Sequence, residues 1–372
     1  MSDFRRSNVA RALLADAVAQ VLDNRVFRIL TVLSALMVAA TFAVGFREDS
    51  VWLFGGLGEY FYEDLFSFFG STLPVGGESQ QRIAISTVQT WFVDYLAGYI
   101  GILFCIGATA FFVPAMLEKG FADTLFSKPV SRWSLLLSRY LASILFIAFL
   151  TVFLVGGIHL GLTISSGFSD PSFLWSGLTL VYVFALISSY SLLFGVLTRN
   201  TVASLLLTFV AYGITTGVHV AFMPIQLARD SGSVELLHKE FKRGRVTEAQ
   251  YALAKTGMAL VETAHYVLPK TYDAGFITAD LRDRLITEED ERELARARER
   301  TARALADGDE VAVRERDGVL ASQRMNPLVY YKTRLGWGSE LRYNYWFSIG
   351  SSLAFVGLAL GLAWLRLRRI SF

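Results

Sequence analysis

Cysteine is nearly absent: Cys105 is the one cysteine in 372 residues, and it lies inside an apolar run. A disulfide within the chain needs two cysteines and a thiolate metal cluster needs more, so both are excluded. A lone cysteine in such a run reads as a small buried hydrophobe. Charge is also scarce, at 18% of residues with a net +2. That balance implies no nucleic-acid partner. Histidine occurs four times, as His159, His219, His238 and His265. His159 and His219 fall near the outer ends of apolar runs, where a metal or proton site is conceivable. Two imidazoles without a spaced carboxylate or thiolate are a weak metal signal, so packing is the preferred reading and no metal is expected.

The motifs of common chemistry are missing too. There is no Gly-x-x-x-x-Gly-Lys-Ser/Thr phosphate loop, so the chain does not hydrolyse ATP by that route, and no His-Glu-x-x-His zinc helix. Ser351 and Ser352 sit in an apolar run without a Gly-x-Ser-x-Gly elbow. No catalytic residue and no resident cofactor is expected, so the chain is not read as an enzyme. Arg5, Arg6, Arg11, Asp16, Asp23 and Arg25 break any signal-peptide core, so no cleavable leader is expected.

What the chain has is apolar length. It is 53% hydrophobic, with mean hydropathy +0.43. That composition points to an integral membrane protein. Six apolar runs are long enough to span a bilayer, at 26–46, 91–117, 135–164, 173–197, 201–223 and 345–365. Residues 1–25 carry an apolar stripe at helical spacing, Val9, Leu13, Leu14, Val18 and Val21 among it, and read as an interfacial amphipathic helix. The 47–90 loop is rich in aromatics, with Trp52, Phe54, Tyr60, Phe61 and Tyr62, and is expected to form a short interfacial helix or re-entrant piece.

Lys and Arg mark the cytoplasmic short loops. The N-terminal arm, the 117–134 connector, the Arg199 turn and the tail with Arg366, Arg368 and Arg369 carry the positive charge. Six spans with both termini in the cytoplasm satisfy that pattern. The expected fold is therefore an all-α membrane protein. Its parts are a 1–25 elbow helix, spans one to five over 26–223, a mainly helical extracytoplasmic domain over 224–344, and span six with a basic tail over 345–372. Within the outer domain, Thr247 and Gln250 read as a capping box, Pro269 as a helix stop, and Thr287 as a second N-cap.

The connector between spans two and three holds more than a turn needs. Glu118, Asp123, Lys128 and Arg132 alternate with Phe121, Leu125 and Phe126, and Pro129 stops any helix. A short amphipathic helix across the mouth of two spans is suited to docking on another protein. Glu118, the Thr124–Leu125 pair, and Ser127-Lys128-Pro129-Val130-Ser131-Arg132 followed by Leu135, Leu136, Leu137, Arg139 and Tyr140 resemble the signature of ABC-2-type transporter permeases. Where that family has a Gly-Lys pair this chain has Ser138-Arg139, and the family's glycine is displaced to Gly120. The 224–344 segment is loosely similar to variants related to the permease of nitrous-oxide-reductase maturation.

The resemblance implies a permease subunit of an ATP-driven transporter, an exporter by preference. It implies pairing with a second permease, as homodimer or heterodimer, in membrane lipid. A separate ABC ATPase subunit would bind on the cytoplasmic face and hold the ATP and magnesium. Glu118, Phe121, Asp123, Thr124, Leu125, Lys128, Pro129 and Arg132 would form the coupling helix in a cleft of that ATPase. The alternative is a non-transporting scaffold whose outer domain recruits an extracytoplasmic partner. An ion-coupled carrier is disfavoured, because Arg28, Asp94 and Arg139 all fall near span ends. No substrate signature stands out.

Overall fold

The computed structural model describes residues 25–47, 50–53, 58–61, 100–117, 131–167, 169–230, 233–275, 277–278 and 345–370, with scattered positions at 15–23 and 81–98. Within them run helices α1 (Arg25–Ala43), α2 (Ile102–Thr109), α3 (Phe112–Met116), α4 (Arg132–Ser166), α5 (Trp175–Thr198), α6 (Thr201–Asp230), α7 (Ser233–Lys242), α8 (Glu248–Val267) and α9 (Tyr345–Arg368). Three strands, β1 (Val44–Phe46), β2 (Ser50–Leu53) and β3 (Gly58–Phe61), follow α1. Five helices among the described residues are long and apolar enough to cross a membrane: α1, α4, α5 with its leading turn, α6 up to Phe222, and α9. Their exposed faces are apolar, as with Ile29, Val152, Ile164, Val202 and Leu358, which suits contact with lipid tails.

The helix ends follow local chemistry. Ser131 caps α4, its hydroxyl accepting from Ser134 N–H at 3.0 Å. Gly167, at φ 71°, closes α4 in the left-handed region. Asp170 accepts from Ser172 N–H at 3.1 Å, and Pro171 opens the turn into α5. Arg199 ends α5 at φ 51°, and Asn200 accepts from Ala203 N–H at 3.1 Å to start α6. α5 is the most enclosed of these helices. Its buried Ser188 and Ser189 donate back to Ala185 and Leu186 carbonyls, so their hydroxyls are satisfied without a neighbour.

Contacts fix the directions. Phe27 meets Phe146, Val38 lies against Gly157, and Thr41 against Gly161, so α1 and α4 run parallel. Tyr140 donates to the Ala185 carbonyl and Gly177 faces Val155, so α4 and α5 are antiparallel. Ser204 donates to the Ser191 carbonyl and Tyr190 pairs with Thr215, so α5 and α6 are antiparallel. Tyr182 reaches the Ser348 carbonyl and Tyr190 packs on Phe355, so α5 and α9 are parallel. The start of α1, the start of α4 and the end of α9 therefore share one face of the bundle, called the lower face below. A parallel α1 and α4 also require the chain to come back between them. Packing traces that return. Gln81 donates to the Phe46 and Ser166 carbonyls at the upper end. Ile85 packs with Ile158 and Leu162, Cys105 with Phe146 and Ile147, and Met116 with Leu135 and Leu136.

Several expectations change. Part of the aromatic 47–90 loop, with the last turn expected of the first span, is an antiparallel sheet in the order β1-β2-β3, not a helix. Val44 pairs with Leu53, and Trp52 with Glu59. Valine and aromatic residues favour that pleated surface. Gly45 is required there, since a Cβ would overlap the Trp52 indole. Arg47 and the Ser50 hydroxyl both bind Glu59, at 3.1 and 2.8 Å, which holds the register. The expected second span is broken: α2 and α3 are separated at Ala110 and Phe111. Pro114 has no N–H for the Ala110 carbonyl, so the helix opens at that step. The boundary expected at 224 falls inside a helix, because α6 continues through Pro224 to Asp230.

The capping box of α8 is present, with Gln250 N–H to Thr247 at 3.3 Å and the reciprocal bond at 3.1 Å. α8 ends at Val267, before Pro269. The stripe of residues 1–14, the Thr287 cap and the rest of 279–344 lie outside the described residues.

Candidate functional site

Two groups of polar side chains occupy opposite ends of the bundle. The lower group begins at the connector. Glu118, Phe121, Asp123, Thr124, Leu125, Lys128 and Pro129 lie outside the described residues, whereas Arg132 is described and opens α4. Its guanidinium donates to the Leu367 carbonyl at 2.6 Å and the Ile370 carbonyl at 2.8 Å. Those are orphan carbonyls at the C-terminus of α9, where a cation is favoured. Trp133 and Trp364 meet edge to face beside it, with centroids 6.2 Å apart. Two turns up α4, Arg139 is 3% exposed and pairs with Asp16 at 3.3 Å. Thr109, Ser143 and Ser188 line a small cavity beside it, their hydroxyls donating to carbonyls of their own helices. This pair ties the N-terminal segment to α4.

The upper group was not legible as a site. Residues 268–278 turn back from α8 into the bundle. Lys270 is completely buried; its Nζ donates to the His265 carbonyl at 2.7 Å and sits 5.0 Å from the Phe347 ring centroid. Its backbone N–H donates to Ser352 Oγ at 2.9 Å. Asp273, also buried, accepts from the Ser348 hydroxyl, and Thr278 shares a hydrogen bond with Thr179 of α5 at 2.6 Å. His265 stacks flat on Phe222, with centroids 3.6 Å apart, and its ring is 4.8 Å from that of His219. A single turn of chain thus binds α5, α6, α8 and α9 together.

Burial dominates the electrostatics of this group. It lowers the Lys270 ammonium to about 8, with Asp273 pulling the other way. It raises the Asp273 carboxyl to about 6, against the Ser348 hydrogen bond and the Lys270 charge. It lowers His265 to about 2, and His219 and Lys270 push in the same direction. His265 is thus neutral, and the cluster carries its charge on Lys270 and Asp273.

His219 packs against His265, with ring centroids 4.8 Å apart. Among the described residues there is no group of three or more His, Cys, Asp or Glu able to hold a metal. Ser352 and Ser348 serve as hydrogen-bond partners of the re-entrant turn. Two signals for it were present: a Lys-x-x-Asp pair behind Pro269, and serines at helical spacing in the last apolar run. Neither identifies the other as its partner without the fold.

Such a bundle defines a multi-pass helical membrane protein with charged groups sealed inside. No protein-family model matches the chain, and it is similar to no curated protein and to no solved structure.

Proposed function

We propose that the chain is the transmembrane permease subunit of an ATP-driven transporter of the ABC-2 type. The return segment is the sixth crossing, and the 117–134 connector is the element that docks on a separate ATPase. The observation that supports this reading is where the connector's two ends lie. Met116 packs with Leu136, and Arg132 grips the end of α9, so both ends sit on the lower face with the start of α1 and the end of α9. The basic residues of the short loops assign that face to the cytoplasm. A docked motor pushing on the connector moves α4 directly and α9 through Arg132. Substrate leaves by the opposite, upper face. The working unit pairs this chain with a second permease and takes ATP and magnesium only in the ATPase.

Glu118→Lys tests the dock by inverting a charge on it. The variant is expected to insert normally and to lose most co-purifying ATPase and its stimulated turnover. Unchanged co-purification and turnover would remove Glu118 from the dock. Failure of the wild-type chain to retain any ATPase would instead favour the scaffold reading.

A further inference from the structure

The lower end of α9 carries three arginines that the helix end does not use. Arg366, Arg368 and Arg369 follow the last apolar turn, and all three are exposed. Among the described residues none of them has an ion pair. Nor do the carbonyls at the end of α9 call on them, because Arg132 already donates to those of Leu367 and Ile370. Arg368 lies over the Trp364 ring, 4.9 Å from its centroid. That leaves the forks of Arg366 and Arg369 pointing at no protein anion, and a guanidinium fork matches the oxygens of a phosphate.

The same face of α9 is apolar down to those charges. α9 is itself long and apolar enough to cross a membrane. Leu358, Leu362 and Leu365 are exposed on it, at 60%, 47% and 47%. Leu362 and Arg366 are four residues apart, and so are Leu365 and Arg369. Each arginine therefore stands one turn below a leucine on one helix face. Height agrees with that placement. Trp364 meets the half-exposed Trp133 edge to face, and tryptophans mark the headgroup level. Arg366 and Arg369 come two and five residues later, about 3 and 7.5 Å further down at 1.5 Å per residue. The polar layer is about 5–8 Å deep on each side of the hydrocarbon core, so both heads lie within it. A lipid chain lying along the leucines thus brings its phosphate to the two arginines without leaving the bilayer.

We propose that the lower end of α9 binds one anionic phospholipid, with an acyl chain along Leu358, Leu362 and Leu365 and its phosphate between Arg366 and Arg369. The full-length protein, without an ATPase, is purified in mixed micelles with phosphatidylglycerol or with phosphatidylcholine of the same chains. Retained lipid is counted by native mass spectrometry. One phosphatidylglycerol per chain is expected to survive, with no comparable phosphatidylcholine adduct. R366Q/R369Q is expected to weaken retention about 30-fold, equivalent to about 2 kcal/mol from two cationic contacts. R25Q/R28Q removes the same charge from the start of α1, elsewhere on the lower face, and is expected to leave retention unchanged. Equal retention by wild type and R366Q/R369Q overturns the proposal. So does an equal loss in both variants, which would mean diffuse attraction to a basic face. Full displacement by inorganic phosphate alone overturns it as well, because the site would then take a simple anion. Disulfide formation between Leu362→Cys of two chains in the lipid-loaded protein would also overturn it, by showing a second copy on this face.

Discussion

The parallel packing of α1 on α4 can be tested through two adjacent glycines that predict opposite outcomes. A Cβ at Gly157 would press on both methyls of Val38, at 2.5 and 2.8 Å, and one at Gly161 would overlap Thr41. Gly156, next in the chain, faces open space. Valine in a helix is confined to one rotamer, so Val38 cannot swing aside and α1 must move. Overpacking of this kind costs about 1–3 kcal/mol. Alanine gains about 0.5–1 kcal/mol over glycine in a helix interior. Gly156→Ala is therefore expected to stabilise by up to about 1 kcal/mol, and Gly157→Ala to destabilise by up to about 2 kcal/mol, the difference of those two figures. The lone thiol supplies the assay. Cys105 is 4% exposed and packs in the cluster that Phe27 and Leu30 of α1 complete. Its alkylation rate in detergent follows the open population, with a tenfold change for about 1.4 kcal/mol. Gly157→Ala should label faster than wild type and Gly156→Ala slower. Equal rates for the two variants would refute the contact, and with it the parallel register of α1 on α4.

Other perturbations act on the two ends. Arg132→Ala leaves the Leu367 and Ile370 carbonyls without their cation, at a cost of about 1–3 kcal/mol, and limited trypsin digestion should cut sooner at Arg366, Arg368 and Arg369. Ser348→Ala takes the hydroxyl from a buried carboxylate, a loss of about 1–3 kcal/mol, seen as a lower denaturation midpoint. Asp273→Asn tests the titration. The carboxyl is raised in the folded chain from 3.8 to about 6, so its contribution is full below pH 4 and is lost as pH rises through 6. Stability of wild type minus variant should therefore fall by about 3 kcal/mol between pH 4 and 7, at 1.36 kcal/mol per unit; a flat difference would show that Asp273 is not sealed in the fold.

How far the sequence reached depended on the range of each interaction. The capping box at Thr247, the stop at Pro269 and five of the apolar spans are local patterns, and each is present, although the last turn expected of the first span is β1 and α6 runs on past the boundary expected at 224. The break of the return segment at Ala110 was missed although Pro114 was in plain view, because summed hydropathy hides one lost hydrogen bond. The β1-β2-β3 sheet was missed because its aromatics were weighed as membrane anchors, and pairing such as Trp52 with Glu59 leaves no mark on composition. Arg139 looked like a span-end charge, yet it is buried through a partner 123 residues earlier in the chain. The Lys270 cluster is the extreme case: its partners come from α5, α6, α8 and α9, and only the fold brings them together.

α9 joins the two ends of the molecule. At its lower end Arg132 holds the carbonyls of Leu367 and Ile370. At its upper end Ser348 and Ser352 hold Asp273 and the Lys270 backbone. Between them the helix is one unbroken rod against α5. Ser348 and Leu367 are nineteen residues apart, about 28 Å at 1.5 Å per residue. A shift of the connector that drags Arg132 therefore cannot be absorbed along α9 without breaking its backbone ladder. It must appear at the top as a pull on the re-entrant turn. That turn is anchored by one fully buried lysine and one buried carboxylate, groups costly to expose singly. The pull is thus expected to move residues 268–278 as a unit, and to release the Thr278–Thr179 bond to α5 before the Lys270 contacts to α8. Under the proposed function, hydrogen exchange in the ATPase-bound protein should show the amides near Thr278 opening ahead of that of Lys270 when ATP is added, and Arg132→Ala, which cuts the link to α9, should abolish that response; an unchanged response in the variant would mean that α9 does not carry the motion.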